Sequence, residues 1–140
     1  MLTGMLGALG PVQPVMAGFA ITNGPETIVY LSSAPLTCAQ MMMGGVKWLS
    51  TLPAKSQVIE MVVPGTASAK TYMVGNFAAE VHYAEGSKSS STEATASSGS
   101  IVYTKAAKGG VHEGMVNATF PMGSLMGTFH AEWCQGGTEF

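Results

Sequence analysis

The sequence contains no arginine and no aspartate, and it carries little charge of either sign. Charged residues are 10 % of the chain, whereas typical globular proteins have roughly 25 %. Without arginine the chain lacks the planar group that holds a phosphate through two hydrogen bonds, and a formal net charge of -2 provides no basic surface. We therefore expect no nucleic-acid partner.

Long hydrophobic runs are also lacking. The apolar N-terminal stretch is broken by Pro11 and Pro14 and is too rich in glycine to cross about 30 Å of hydrocarbon. The first basic residue of the whole chain is Lys47, so this stretch lacks the positively charged start of a secretory signal. We expect a chain that does not span a membrane, with residues 1–16 as an N-terminal extension and candidate assembly arm, and residues 17–140 as one domain.

The period of the apolar residues predicts strands. Segments bounded by Gly, Pro, Asn or Ser alternate apolar and polar side chains and are rich in β-branched and aromatic residues. Because no helices alternate with them, we predict an all-β fold, an antiparallel β-sandwich of jelly-roll or immunoglobulin-like type with about seven to eight strands. The predicted strands cover residues 17–23, 27–32, 56–63, 71–86, 99–107, 111–120 and 124–134.

Alternation also assigns faces in the last strand. Phe129, Ala131 and Trp133 are predicted to face the core, while His130 and Glu132 point outward. A short glycine-containing turn joins this strand to the one before it, which predicts a C-terminal hairpin. One short helix is predicted within residues 32–45, with Ser33 as its cap and two glycines at its end.

The two cysteines, Cys38 and Cys134, allow one internal pairing. A disulfide between them would join the short helix to the last strand and close a loop of about 96 residues. The rival interpretations are two buried free thiols, or a reactive Cys134 beside a histidine, although no lysine lies within ten residues to activate it. With the Ser/Thr/Gly-rich loops, the cysteines favour an exported protein, secreted or at the cell surface or in the periplasm.

Two pairs of residues have the side chains and spacing of metal ligands. Glu80 and His82 form one pair, and His130 and Glu132 form the other. If their strands were neighbours, the four side chains would meet on the outer face of the sheet and could bind zinc or copper. The alternative is that a solvated sheet face produces such pairs by alternation alone.

Methionine is in excess, with eleven residues that include the triplet Met41, Met42 and Met43. Thioethers bind Cu(I), but adjacent residues of a helix point about 100° apart and do not converge on one ion. The triplet is therefore also a candidate surface for self-association or peptide contact. Trp48 and Tyr72 are the aromatic residues outside the predicted core, and they are the candidate contacts for a small ligand or a carbohydrate.

Catalytic motifs are missing from the sequence. It has no Gly-Lys-Ser or Gly-Lys-Thr phosphate loop, no G-x-S-x-G, no H-E-x-x-H and no aspartate for a serine triad. We expect neither enzymatic activity nor a cofactor. The expected function is an exported structural or assembly protein that self-associates as a homo-oligomer or filament. The alternatives are a small-ligand or carbohydrate-binding module and a periplasmic copper- or zinc-binding protein.

The C-terminal third follows a pattern of glycines and inward aromatic residues that ends in a cysteine. It resembles the closing strands of uncharacterised secreted or lipid-anchored proteins of myxobacteria and related bacteria, in which "GxFxAxF" precedes a turn and "LxGxFxAxxC". The resemblance implies export and a β-sandwich, but no activity. The matching residues are Gly99, Gly114, Val116, Ala118, Phe120, Leu125, Gly127, Phe129, Ala131 and Cys134, with Cys38 as the upstream cysteine.

Overall fold

The structure, a computed structural model, describes residues 1–6, 10–42, 47–75, 78–86 and 94–134. The described chain forms ten strands and two four-residue helices. The strands are β1 (Leu2–Met5), β2 (Ala17–Asn23), β3 (Glu26–Ser32), β4 (Gln57–Pro64), β5 (Thr71–Val74), β6 (Glu80–Glu85), β7 (Ala94–Thr95), β8 (Ser98–Ala106), β9 (His112–Phe120) and β10 (Gly123–Trp133), and the helices are α1 (Cys38–Met41) and α2 (Lys47–Ser50).

The strands form one mixed sheet that curls into a half-barrel, in the order β5-β8-β9-β10-β2-β3-β4-β6-β7, with β1 also paired to β10. Every pairing between named strands is antiparallel except that of β10 with β2, where Glu132 and Trp133 lie opposite Phe19 and Ala20. This short parallel contact joins two antiparallel groups. We call them the β8–β10 half (β1, β5, β8, β9 and β10) and the β2–β4 half (β2, β3, β4, β6 and β7).

The mostly-β class is confirmed, but the antiparallel sandwich is not, because the two halves form one continuous mixed sheet rather than two clearly separate ones. The predicted C-terminal hairpin is present as β9 and β10, which pair from Phe120 and Gly123 to His112 and Ala131. The predicted strand over residues 71–86 is two strands, since β5 pairs with β8 and β6 pairs with β4 in the other half. The alternation of apolar and polar residues continues from one strand into the next in the sequence. It therefore does not show where the chain passes from one half of the sheet to the other.

A glycine on the inner face allows the β8–β10 half to curl. Gly114 lies between Tyr103 on β8 and Phe129 on β10, whose rings meet edge to face with centroids 5.4 Å apart. A Cβ atom at Gly114 would lie 1.9 Å from the carbonyl oxygen of Val102, so no larger residue fits without a backbone shift. The two aromatic rings thus pack across a strand position that has no side chain.

The inner face of the half-barrel holds the larger core, to which both halves of the sheet contribute. A second core lies on the outer face of the β2–β4 half, beneath the segment that contains α1 and α2. There Trp48 packs edge to face on Tyr30, with ring centroids 5.0 Å apart. Strands β3 and β4 are consequently buried on both faces. The covering segment contributes Leu36, Met41, Trp48, Leu49 and Leu52 to this core.

The helical segment differs from the predicted single helix. The cap of α1 is Thr37 rather than Ser33: its hydroxyl accepts a hydrogen bond from the backbone N–H of Gln40, and the Gln40 side chain accepts one from the Thr37 N–H. A second short helix, α2, follows before β4. No helix in the described ranges is long and apolar enough to cross a membrane.

The N-terminal residues are part of the domain, which corrects the prediction of a separate arm over residues 1–16. β1 pairs with β10, from Leu2 opposite Gly127 to Met5 opposite Ser124. Leu2 and Leu6 are 2 % and 0 % exposed and belong to the larger core. The sequence pattern missed this strand because it is only four residues long and contains a glycine.

Candidate functional site

The outer face of the β8–β10 half differs from that of the other half. The described parts of segment 33–52, residues 33–42 and 47–52, cover the outer face of the β2–β4 half, whereas the outward side chains of β1, β5, β8, β9 and β10 are exposed or half-buried. We call this surface the uncharged face. It comprises three cross-strand rows: Met5, Ser124, Thr119 and Ser98; Thr3, Met126, Asn117, Ser100 and Met73; and Thr128, Met115, Val102 and Thr71.

The alternation of the strands produces this surface directly. In β10 the buried residues Leu125 and Phe129 face the core, and Met126 and Thr128 between them face outward. β9 shows the same alternation, with Met115 exposed between inward residues. Within the three rows, the outward positions hold only Ser, Thr, Asn, Val and Met. These rows therefore contain no charged side chain.

The exposed large hydrophobic side chains of the uncharged face are methionines. Met5, Met73, Met115 and Met126 are 58 %, 63 %, 50 % and 55 % exposed. Met126 lies opposite Asn117, and Met115 lies opposite Thr128, which places the two methionines diagonally across neighbouring strands. A shallow groove of about 480 Å³ runs between them and is bordered by Thr3, Ser100 and Val102.

Among the described residues, charged side chains begin at one end of the uncharged face, and at the same end the N-terminal ammonium group of Met1 donates hydrogen bonds to Thr128. The next row of the sheet contains His130, Glu113 and Lys105. The Nδ1 atom of His130 lies 2.9 Å from the Oε1 atom of Glu113. Lys70 precedes β5 at the same end, where its carbonyl oxygen accepts a hydrogen bond from the N–H of Tyr103. The charged groups thus border the face and do not interrupt it.

The predicted metal ligands are not brought together. His82 lies on β6 and His130 on β10, and strands β2, β3 and β4 separate them, so the condition under which the two pairs would meet, neighbouring strands, is not fulfilled. His130 instead contacts Glu113, while Glu132 is exposed. Among the described residues, no group of three or more His, Cys, Asp or Glu side chains is arranged to hold a metal ion.

His82 has partners that the sequence pattern did not identify. Its Nε2 atom lies 3.6 Å from Glu80 and 3.9 Å from the buried Glu60, and its Nδ1 atom lies 2.9 Å from the hydroxyl oxygen of Thr95. Glu60 is directly opposite His82 on β4. The available signal was a lone glutamate within the apolar strand sequence QVIEMVVP. These contacts connect β4, β6 and β7 at the edge of the sheet.

The predicted ligand-contacting aromatic residues are buried, which corrects their placement outside the core. Trp48 is 0 % exposed because α2 turns it onto Tyr30 of the sheet. Tyr72 is 7 % exposed because it occupies an inward position of β5, where its hydroxyl oxygen accepts a hydrogen bond from the N–H of Ser68. Neither ring offers the exposed flat surface that a carbohydrate would stack on.

The methionine triplet does not lie on one surface. Met41 is 0 % exposed in the core beneath the helices, whereas Met42 is 57 % exposed at the end of α1. Met43 lies outside the described residues. Adjacent positions of a helix point in different directions, so Met41 and Met42 do not form one contact surface.

Two titratable groups lie under the charged end of the uncharged face. His112 is buried and stacks on Trp133 with ring centroids 5.9 Å apart, and this burial lowers the pKa of His112. Tyr103 is 2 % exposed, and burial, with a smaller contribution from Tyr72, raises the pKa of its hydroxyl. Among the described residues the Tyr103 hydroxyl has no hydrogen-bond partner. Both groups are therefore held in their neutral forms.

The predicted disulfide between Cys38 and Cys134 is confirmed. It ties the segment that covers the β2–β4 half to the end of β10, and it indicates an oxidising compartment. Comparisons with protein-family models, with curated proteins and with solved structures found no match to this chain.

Proposed function

We propose that this protein is an exported, non-enzymatic structural subunit that self-associates through the uncharged face. The observation that carries the proposal is the asymmetry of the sheet: the outer face of the β2–β4 half is covered by segment 33–52, while that of the β8–β10 half is exposed. A sheet face with three uncharged rows and four exposed methionines is suited to burial against another surface.

The composition of the uncharged face supports a protein partner. The centres of protein interfaces are depleted in charged residues and enriched in methionine, while charge is found at their rims. The uncharged face follows this pattern. Its methionines lie in the three uncharged rows, and the next row, at one end, contains Lys105, Glu113 and His130. Flexible thioether side chains also adapt to an opposing surface at little energetic expense.

A second copy of the chain is the partner that fits best. An uncharged face offers nothing to a highly charged partner, whereas two identical uncharged faces meet without desolvating a charged side chain; the one N-terminal ammonium group donates hydrogen bonds to Thr128 at the margin of the face. Two sheets pack face to face about 10 Å apart. The two-sheet sandwich that we predicted within one chain would then form between two copies, each contributing its β8–β10 half.

The size of the uncharged face sets the expected strength of association. Five strands at about 4.8 Å spacing and five residues at about 3.4 Å rise give roughly 400 Å² on each copy. The total of roughly 800 Å² is below the size of a stable specific interface, so the dimer would be a weak one that forms at high local concentration.

Face-to-face pairing is favoured over growth from the sheet edges. In the described part of the chain, the edge strands β5, β7 and β1 have four, two and four residues, so each edge offers few backbone hydrogen bonds to an added strand. A face that pairs with its own copy is isologous and closes at two subunits. The expected product is therefore a dimer rather than a filament.

The location follows from the disulfide and from the sequence. A disulfide indicates an oxidising compartment, and we place the protein outside the cytoplasm, secreted or at the cell surface or in the periplasm. The resemblance of the C-terminal strands to secreted and lipid-anchored bacterial proteins supports the same placement.

Sedimentation velocity of the full chain over a range of concentrations tests this function. We expect a monomer–dimer equilibrium for the natural sequence and a monomer for Met115→Glu/Met126→Glu, because four glutamates would face each other in the dimer. The matched control is Met16→Glu/Met42→Glu, at methionines that are 66 % and 57 % exposed outside the uncharged face. The control should dimerise as the natural chain does.

Two results would overturn the proposal. One is a natural chain that stays monomeric at every concentration, up to about 1 mM. The other is a control variant that loses association as fully as the uncharged-face variant. Near-ultraviolet circular dichroism of each variant shows whether the fold is retained.

A further inference from the structure

We infer that dimerisation through the uncharged face is controlled by oxidation of its methionine sulfur atoms, with a hydroperoxide as the oxidant. This inference rests on the proposed self-association and adds its regulation. Methionine sulfoxide is polar where methionine is apolar, so the same four side chains that favour contact before oxidation would oppose it afterwards.

The structure separates the accessible thioethers from the protected ones. Met5, Met73, Met115 and Met126 are each at least half exposed and share the uncharged face, whereas Met41 and Met61 are 0 % exposed in the two cores. A peroxide in solution therefore reaches the uncharged face without opening the fold. Oxidation there changes the contact surface and leaves the packing of the core intact.

The cysteines and Trp48 are protected from the peroxide, and Trp133 is half-buried against His112. Both cysteines of the chain are joined in the disulfide, so neither presents a thiolate to the peroxide. Trp48 is fully buried. The exposed thioethers are consequently the groups through which mild peroxide acts on the described surface.

The reaction balances with the peroxide alone. The sulfur lone pair attacks one oxygen of hydrogen peroxide, the O–O bond breaks, and the departing hydroxide takes the proton from the sulfur-bound hydroxyl and leaves as water. The sulfur is oxidised by two electrons to a sulfoxide, and the peroxide is reduced. Each event adds one oxygen atom to the protein.

The effect on association follows from hydrogen bonding and from symmetry. Each sulfoxide oxygen is a strong acceptor that is solvated in the monomer and must lose water in the dimer. A dimer places four sulfoxides of each copy in one interface, and sulfoxides supply no donor to each other. We expect the dissociation constant to rise by about tenfold or more, the usual consequence of leaving buried polar groups poorly paired.

The test treats the natural protein with dilute hydrogen peroxide and measures sedimentation velocity before and after. Intact mass should rise by about 16 Da for each added oxygen, and peptide mapping should find oxygens on the four methionines of the uncharged face as well as on the exposed Met1, Met16 and Met42. The dimer should then dissociate. Methionine sulfoxide reductases of both epimer specificities, with their reducing system, should restore the original mass and the dimer, while the Cys38–Cys134 disulfide is monitored by mass.

The decisive variant replaces all four with leucine, which is apolar and has no sulfur. Met5→Leu/Met73→Leu/Met115→Leu/Met126→Leu should dimerise and remain dimeric after peroxide, and the double variant Met115→Leu/Met126→Leu should show a reduced response. The control Met16→Leu/Met42→Leu should respond to peroxide as the natural chain does.

The outcomes separate this inference from the proposed function. A natural chain that is monomeric before peroxide overturns both. A natural chain that dimerises and stays dimeric, although mass spectrometry shows oxidation at the four positions, overturns the oxidative control alone. A four-leucine dimer that still dissociates in peroxide also overturns it, because the response would then arise elsewhere in the molecule.

Discussion

Cys134, which follows the last strand, is joined by a disulfide to Cys38, the first residue of α1, and their Cα atoms are 5.6 Å apart. Cys134 is fully buried beneath the segment that covers the β2–β4 half. The bond closes a loop with a sequence separation of 96 residues, so most of the chain lies within it. It thereby fixes the end of β10, where the two halves of the sheet meet.

Removal of this bond should destabilise the fold strongly. For a loop of about this length, the restriction of the unfolded chain stabilises the native state by between about 4 and 5 kcal/mol. Cys38→Ala/Cys134→Ala should lower the free energy of unfolding by a comparable amount in a urea titration. Reduction of the natural protein should give the same shift. An unchanged midpoint in both samples would contradict this prediction.

Gly114→Ala tests the glycine between two aromatic rings. The new Cβ atom would lie 1.9 Å from the carbonyl oxygen of Val102, so β8 and β9 would have to separate. We expect a loss of more than about 2 kcal/mol in the free energy of unfolding. The control is Gly110→Ala, where the nearest atom is the Cβ of Ala107 at 3.2 Å and can move. Equal losses in the two variants would count against the steric argument.

His112 should make the protein sensitive to acid. Burial lowers its pKa in the folded state, so below about pH 6.5 the unfolded chain binds a proton more readily than the folded one. The stability associated with the neutral ring is thus present above that pH and is lost as the pH falls. His112→Phe keeps the aromatic packing on Trp133 but does not titrate.

The measurement for His112 is the free energy of unfolding at a series of pH values from about 7.5 to about 5. The natural protein should lose more stability across this window than His112→Phe does. The difference between the two curves of unfolding free energy against pH gives the contribution of His112, because both proteins contain all the other titratable groups. Parallel curves would show that His112 binds protons equally well in the folded and unfolded states.

Tyr103 should resist ionisation while the protein is folded. Its raised pKa means that the neutral hydroxyl is favoured in the core, and stability falls as the pH rises above the unfolded value of about 10. In a titration followed by phenolate absorbance at about pH 11, the native protein and Tyr103→Phe should show the same increase, provided both remain folded. In concentrated denaturant they should differ by one of the four tyrosines.

The same Tyr103→Phe variant also tests the buried hydroxyl. Since the hydroxyl has no hydrogen-bond partner among the described residues, its removal should leave the stability unchanged or raise it by up to about 1 kcal/mol. A clear loss of stability would indicate that the hydroxyl is solvated or bonded in solution.

Much of the fold could be predicted from the sequence because alternation is a local property. The outward and inward assignments of β10 are confirmed, with Phe129 and Ala131 buried and His130 and Glu132 exposed. The structure confirms the Cys38–Cys134 disulfide. It could be predicted because two cysteines allow only one internal bond. The strand β1 and the crossing from β5 to β6 were missed, since a short strand and an uninterrupted alternation leave no local signal.

The predicted sites depended on which strands are neighbours, and the sequence does not contain that information locally. Glu80 and His82 are close in the structure as their spacing implies, but the third group beside them is Glu60 from β4 rather than His130. Trp48 was placed outside the core because α2 was not predicted, and without that helix its direction toward Tyr30 could not be inferred.

The sequence by itself determined the strand periodicity, the low charge and the single internal pairing open to the two cysteines, because these depend on composition and on a two-residue repeat. Only the tertiary structure decided that five strands align their uncharged sides into one surface and that segment 33–52 covers the opposite half instead. Strand order and register bring together residues that are distant in the chain, and the free energy of that choice comes from packing over the whole sheet.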